Sequence, residues 1–255
     1  MAEQAPVHSV DKAMQLLEIL LAHRTPMTLQ EISAASKYPK STVHALLTTM
    51  RAHAMIEQQH DGRYALGIRL FECGCAVSSA CDIGRLAHPH LEQLAAATDA
   101  SAFLSLLDDK NVISFDQCIS ATGLQVVPAT GSRMPLHATS QGKVLLSCLS
   151  DREVLKILEK GGMQAFTPHT ITDPRTFLAD IATVRETGYA VEDGEYRIGL
   201  RSAAAPVYDS TGLVRYALGV AGLFRRVQSE DFQNAISHLI RQARQLSMAL
   251  GWRGI

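Results

Sequence analysis

Three groups of side chains in this 255-residue chain could do chemistry. The first is KSTVHALLTTMR, residues 40–51. At about 100° per residue, Val43, Leu46, Leu47 and Met50 share one side of a helix. The opposite side carries Ser41, Ala45 and Thr48, flanked by His44, Thr42 and Thr49, with Lys40 at the start and Arg51 near the end. A face of small residues lets another large surface come close. In a DNA major groove about 12 Å wide, short side chains meet base edges and thymine methyls while terminal cations meet phosphates. Hydroxyls on that face could also bond phosphate oxygens. The plain alternative is a solvated helix face.

The second group is His137-Ala138-Thr139-Ser140-Gln141-Gly142-Lys143, which leads from a loop into a helix. Backbone N–H groups and hydroxyls at a helix start can hold a carboxylate; alternatively Ser140 only caps the helix. His137 and Ser140 with Asp173 or Glu192 also make a hydrolase triad on paper. There is no G-x-S-x-G elbow, Walker A loop or G-x-G-x-x-G, so an enzyme is not expected. The third group lies in CGCAVSSACDIGRLAHPH, where Cys73, Cys75, Cys81, His88 and His90 are metal-ligand types that would suit a metal sensor. C-x-x-C and H-E-x-x-H spacings are missing, and Cys73 and Cys75 point to different sides of a helix. Small packing residues are the better reading, and no metal or other cofactor is expected.

The elements that must position these residues follow from periodicity. Val10, Met14, Leu17 and Leu21 lie at helical spacing behind Ser9 as N-cap. Thr28 and Glu31 form a T-x-x-E capping box for a second helix with Leu29, Ile32 and Ala35 inward. Pro39 suits the start of a third helix, which runs to about His53. MIEQQ and RYAL then flank His60-Asp61-Gly62, an Asp-Gly hairpin turn whose Arg63 either reaches a phosphate or minor groove or is a solvated turn residue. Helix, helix, turn, helix, hairpin is the order of a winged helix-turn-helix.

Residues 68–98 read as helical, with Pro89 starting, kinking or breaking a segment. SAFLSLL and VISFDQC are strand-like around the turn Asp108-Asp109-Lys110-Asn111, and Leu124–Pro128 is a further strand candidate. Helical periodicity returns at about 140–160 and 174–187. Strand runs follow near 199–208 and 213–221. A final helix from about Ser229 to Trp252 carries Phe232, Ile236, Leu239, Ile240, Ala243, Leu246 and Leu250. The second part therefore reads as α+β.

Composition bounds the rest. Hydrophobic residues at 47% and charged residues at 19% describe a packed chain. A net charge of −1 gives no overall signal for nucleic acid, and the first 70 residues hold seven Lys and Arg against six Asp and Glu. No apolar run is long enough to span a membrane and five cysteines fit a reducing compartment, so a cytoplasmic protein is expected.

These stretches resemble the IclR (isocitrate lyase regulator) family of bacterial transcription factors. The resemblance lies in SVDKAMQLLEIL, TLQEISAASKYPKSTVHALL and the wing DGRYALG. More specifically it lies in GSRMPLHATSQGKVLL and GYAVEDGEYRIGLRSAAAPVYDSTGLVRYALGVAG. It implies a winged helix-turn-helix over 1–67, a linker helix over 68–83, and a GAF-like or profilin-like effector-binding and oligomerisation domain over 84–255. One departure is Ala45, where members often carry arginine in T-V-H-R-L-L.

The resemblance also places an effector pocket on Ser140, Gln141, Glu192, Leu200, Ser202, Gly219 and Ala221; apolar Leu124, Val126 and Met134 either line its other side or are plain core. Gly219 and Ala221 stand where members that bind small keto acids carry hydroxyl or thiol groups, which implies a roomier, less polar pocket. The expected effector is then a larger organic or aromatic acid. The expected partners are double-stranded operator DNA, that effector, and further copies of the chain as a dimer or dimer of dimers, with no membrane.

Overall fold

The computed structural model describes residues 7–80, 83–119 and 129–254. The chain divides into two compact units, Met1–Cys81 and Asp82–Ile255. The first holds α1 (His8–His23), α2 (Leu29–Ser36), α3 (Lys40–Ala52), β1 (Ile56–Gln58), β2 (Tyr64–Leu66) and α4 (Ile68–Ala80). This is the winged helix-turn-helix order.

The Thr28 capping box is formed, with the Thr28 N–H donating to Glu31 at 2.7 Å and the Glu31 N–H to the Thr28 hydroxyl at 3.2 Å. Pro39 stands at the N-cap of α3. Val43, Leu47 and Met50 of α3 pack on Leu16, Leu20, Ile32 and Ile56, with Leu46 partly covered. The wing pairs β1 with β2 antiparallel, Ile56 opposite Leu66 and Gln58 opposite Tyr64.

Three details differ from the periodicity. Helix α1 starts at His8 behind Val7, so Ser9 lies inside its first turn and caps nothing. Its covered side is Leu16 and Leu20 with Ala13 and Leu17, while Val10, Met14 and Leu21 are exposed. Both sets recur at helical spacing, and only the positions of α2 and α3 decide between them. For the same reason Ala35 faces outward while Ile32 is buried.

The second unit holds α5 (Ile83–Thr98), β3 (Ser101–Asp108), β4 (Asn111–Cys118), β5 (Arg133–Pro135), α6 (Ser140–Ser147), α7 (Asp151–Gly161), α8 (Pro174–Thr187), β6 (Ala190–Asp193), β7 (Arg201–Tyr208), β8 (Val214–Gly222) and α9 (Glu230–Ala249). The six strands form an antiparallel sheet in the order β5-β4-β3-β8-β7-β6. Helices α5 and α9 pack on each other, α5 against β3 and β4 and α9 against β7 and β8. Helix α6 packs on the sheet and on α8; the core there joins Val144 and Leu145 to Phe177, Ile181, Ala190, Ala204 and Ala217.

Helix α5 continues through Pro89. The ring removes one backbone donor, but Ala87, Leu91 and Leu94 are all buried and hold both halves in place. The periodic run 140–160 is two helices, because Ser150 and Glu153 form a capping box that starts α7. Strands β5 and β6 were not anticipated, being three and four residues long. Ile240 of α9 is exposed. Leu124–Pro128 lies outside the described residues. Among the described residues no helix is long and apolar enough to cross a membrane.

Candidate functional site

The outer face of α3 presents Lys40, Ser41, His44, Ala45, Thr48, Thr49 and Arg51 to solvent, with Thr42 half-buried. The Thr48 hydroxyl donates to the His44 carbonyl at 2.8 Å and that of Thr49 to the Ala45 carbonyl at 3.1 Å. Those protons are committed within the helix, so what each threonine offers outward is a methyl group and oxygen lone pairs. That suits thymine methyls and base donors better than phosphate oxygens. Arg51 donates to Gln58 at 2.5 Å, which ties the end of α3 to the wing. Arg63 donates to the Pro26 carbonyl at 3.2 Å and sits 3.5 Å from Glu31 and 3.6 Å from Asp61. It reaches a phosphate only by leaving two carboxylates.

In the second unit, Thr139 caps α6, its hydroxyl accepting from the Gly142 N–H at 3.3 Å. Ser140 is therefore not the cap, and its hydroxyl lies 2.8 Å from that of Ser202 on β7. Ser202 donates to Glu192 on β6 at 3.0 Å, and the Ser140 hydroxyl also lies within donating distance, 3.3 Å, of the Gln141 side-chain oxygen. The other oxygen of Glu192 accepts the N–H groups of Glu195 at 2.6 Å and Tyr196 at 3.1 Å. Gly142 allows the approach, since a Cβ there would collide with the Leu136 carbonyl. All three polar side chains are buried, and burial raises the Glu192 carboxyl to about 7, against the pull of its hydrogen bonds. Gln141 reaches from α6 to the Met134 sulfur at 3.4 Å. Met134 and Tyr196 also wall a cleft of about 300 Å³ with Leu136, His137 and Phe166.

Residues 9–60 match the IclR helix-turn-helix domain and residues 75–248 the bacterial transcriptional regulator IclR C-terminal domain. The chain belongs to the IclR family. It is 32% identical over 247 residues to the HTH-type transcriptional regulator XynR of Escherichia coli, covering 96% of this chain and 98% of that one. The crystal structure of an IclR transcriptional regulator from Alicyclobacillus acidocaldarius superposes with a TM-score of 0.83 at 28% identity, covering 97% and 100% of the two chains. An IclR homolog from Microbacterium hydrocarbonoxydans complexed with 4-hydroxybenzoate shares the fold, with a TM-score of 0.85 at 24% identity and coverage of 95% and 98%. This IclR-family chain is thus a transcriptional regulator with a DNA-binding helix-turn-helix domain.

Ser140, Gln141, Glu192 and Ser202 come together in one buried centre. Leu200 and Ala221 pack with Phe103, a residue that sequence reasoning missed. Gly219 does not enlarge the site. The Phe103 ring from the neighbouring strand lies where its Cβ would be, so the expected extra room is filled. Leu124 and Val126 lie outside the described residues.

The two alternatives have no assembled site among the described residues. His137 donates through Nε2 to the Gln164 carbonyl at 2.9 Å, with burial lowering its pKa, and Asp173 caps α8. Cys73 and Cys75 are exposed on α4, His88 pairs with Asp116 at 2.9 Å and His90 with Gln242 at 2.6 Å. Cys81 lies outside the described residues.

The Glu192 carboxyl holds its proton more tightly in the folded chain than in the unfolded one. Its neutral form favours folding below about pH 4.5, and that contribution is lost as pH rises to about 7. Across this window the wild type should lose about 3 kcal/mol relative to Glu192→Gln, at about 1.36 kcal/mol per unit. Urea unfolding of both proteins between pH 4.5 and 7.5 checks it; parallel stability profiles would show that the buried carboxyl titrates normally.

Proposed function

We propose that this regulator binds operator DNA through α3 and the wing, and that a small organic or aromatic acid held in the second unit changes that binding to control metabolic, mainly catabolic, genes. The observation that carries the reading is the buried centre at the start of α6. There a carboxylate and two hydroxyls converge beside backbone N–H groups, in a core where polar groups are otherwise costly. The effector meets Ser140, Gln141, Glu192 and Ser202, with Met134, Leu200, Gly219 and Ala221 around it. The Microbacterium hydrocarbonoxydans protein of the same fold, complexed with 4-hydroxybenzoate, supports an aromatic acid as one class to test.

A thermal-shift screen of the full chain against small carboxylic acids tests the effector. A ligand at about 100 times its dissociation constant should stabilise by about 2.7 kcal/mol, and the same compound should alter operator affinity. A stabilising acid that leaves operator affinity and footprint unchanged would sink the coupling.

On the DNA side, Lys40, Ser41, Thr42, His44, Ala45, Thr48, Thr49 and Arg51 form the proposed contact face, with Arg63 at its edge. Thr48→Ala should relax preference at one base position, since it removes the methyl that faces out. Lys40→Ala should weaken all sequences alike and reduce the salt slope by about one. Titrations on matched and mutated operators at several salt concentrations separate the two, and the reverse pattern would mean that another face of α3 meets DNA.

Two copies are proposed to bind together, as paired half-sites require. Val7 at the N-cap of α1 and Val10, Met14 and Leu21 within it leave an exposed apolar row, and Ile68 and Phe71 another on α4. The first row has intervals of three, four and seven residues, a heptad spacing that lets one helix pack on its own copy. Val10→Glu with Met14→Glu should shift sedimentation toward the monomer and lower operator affinity. An unchanged sedimentation coefficient would place the interface elsewhere.

A further inference from the structure

The buried centre is short of positive charge. Glu192 and Glu195 are buried and Asp180 is partly so. Among the described residues these three carboxylates face one cation, Lys143, which lies 2.8 Å from Asp180 and 2.5 Å from Glu195. No other element around Glu192 adds a cation. Arg201 precedes Ser202 on β7, but successive strand residues point to opposite faces, and it pairs with Asp193 at 2.7 Å. The row through Glu192 and Ser202 continues with Ala221 on β8 and Ser101 on β3, which carry no charge. His137, in the loop before α6, has its pKa lowered by burial and by Lys143. An acid entering as its anion would therefore set four carboxylates against one ammonium, in surroundings where unpaired charge is very costly. A proton entering with it removes the surplus.

The geometry shows where that proton is held. Ser202 Oγ lies 3.0 Å from Glu192 Oε2 and 2.8 Å from Ser140 Oγ, which lies 3.3 Å from Gln141 Oε1. With Glu192 ionised, its oxygens accept the Glu195 and Tyr196 N–H groups and the Ser202 hydroxyl. Ser140 then donates to Ser202 or to Gln141. With Glu192 neutral, the chain turns round: Glu192 donates to Ser202, Ser202 to Ser140, and Ser140 to the amide oxygen of Gln141, which can only accept. In both states every hydroxyl proton has an acceptor, so the chain takes or releases a proton without any heavy atom moving.

The second state suits an anion. A carboxylate beside the start of α6 can replace Gln141 as the last acceptor. Ser140 then donates to it alongside N–H groups that have no intrahelical partner. Burial already brings the Glu192 carboxyl to about 7, so the proton is available near neutral pH.

We propose that an acid binds at this centre together with one proton, held on the Glu192–Ser202–Ser140 chain. This rests on the effector-binding reading of the centre and adds how that site is regulated. Below about pH 7 Glu192 already carries the proton, so affinity is level and nothing is taken up. Above it the proton must come from solvent, and affinity falls about tenfold per pH unit.

The test uses the full chain with acetate, benzoate and 4-hydroxybenzoate as probes. Calorimetric titration in two buffers of different protonation heat counts the protons taken up per acid bound. Wild type should take up about one at pH 8 and almost none at pH 6, and should bind about tenfold more weakly at pH 8. Glu192→Gln keeps an acceptor for the two N–H groups and a donor toward Ser202, so it should bind equally at both pH values with no uptake. Infrared difference spectra of wild type at pH 8 give a reading that needs no variant: a protonated carboxyl band should appear on binding. Binding without uptake at pH 8, uptake that persists in Glu192→Gln, or binding without the carboxyl band would each overturn the inference while leaving the effector site standing. If neither these probes nor any acid of the thermal-shift screen binds at either pH, the effector reading of the centre falls with it.

Discussion

Lys143 is among the largest side chains this protein encloses completely, and an ammonium group taken out of water is costly unless opposite charge meets it at short range. Three groups meet it: Glu195 at 2.5 Å, Asp180 at 2.8 Å and the Val191 carbonyl at 3.2 Å. They come from the β6–β7 connection, from α8 and from β6. Helix α6 can dock only when all of these are in place. Glu195 then passes the constraint on, because its N–H donates to Glu192, which in turn receives Ser202 and, behind it, Ser140. The position of every polar group in the buried centre thus descends from one buried cation. Its electrostatics do too. Burial does most to raise the Glu192 carboxyl, and Glu195, held in place by Lys143, adds repulsion.

A second constraint is steric. Gly142 brings α6 against the Leu136 backbone, and Gly219 takes the Phe103 ring from the next strand. In both places a methyl group would collide. The two contacts fix how far α6 stands from the sheet and which part of the sheet face an aromatic ring covers. What shape the buried centre has is therefore set as much by residues without side chains as by those with chemistry.

Features encoded within a few residues could be read directly from the sequence. The Thr28–Glu31 box, the Asp61-Gly62 turn, Pro39 before α3 and the covered stripe of α3 all depend on local spacing, and the winged order follows from them. The gathering of Ser140, Gln141, Glu192 and Ser202 was legible only through family resemblance, because Ser140 and Ser202 stand 62 positions apart. What escaped reading depends on distant partners. Thr139 and Ser140 are both good caps, and only the phase of α6 decides between them. Val10 and Leu16 both lie on helical stripes, and only the packing of α2 and α3 tells which is covered. The pairing of Ser105 with Ser114 depends on a register shift beside Leu104 that no local pattern announces. A usable signal did exist in SAFLSLL, where two serines four apart interrupt one face of an otherwise apolar strand.

The proposed DNA face has a physical peculiarity that bears on how such a regulator could be switched. Thr48 and Thr49 have their protons committed to helix carbonyls, Arg51 bonds Gln58, and Arg63 is held near Glu31 and Asp61. Lys40, at the helix start, makes no ion pair among the described residues. One copy of this face therefore brings few free cations to the phosphates that supply most non-specific affinity. In the paired copies proposed above, binding would come from two faces engaged at once, where the second contact is made at high effective concentration only if the spacing fits. A small change in spacing removes that gain without altering any contact in α3. Weak single faces are thus what would let an acid bound in the second unit control the affinity of the whole.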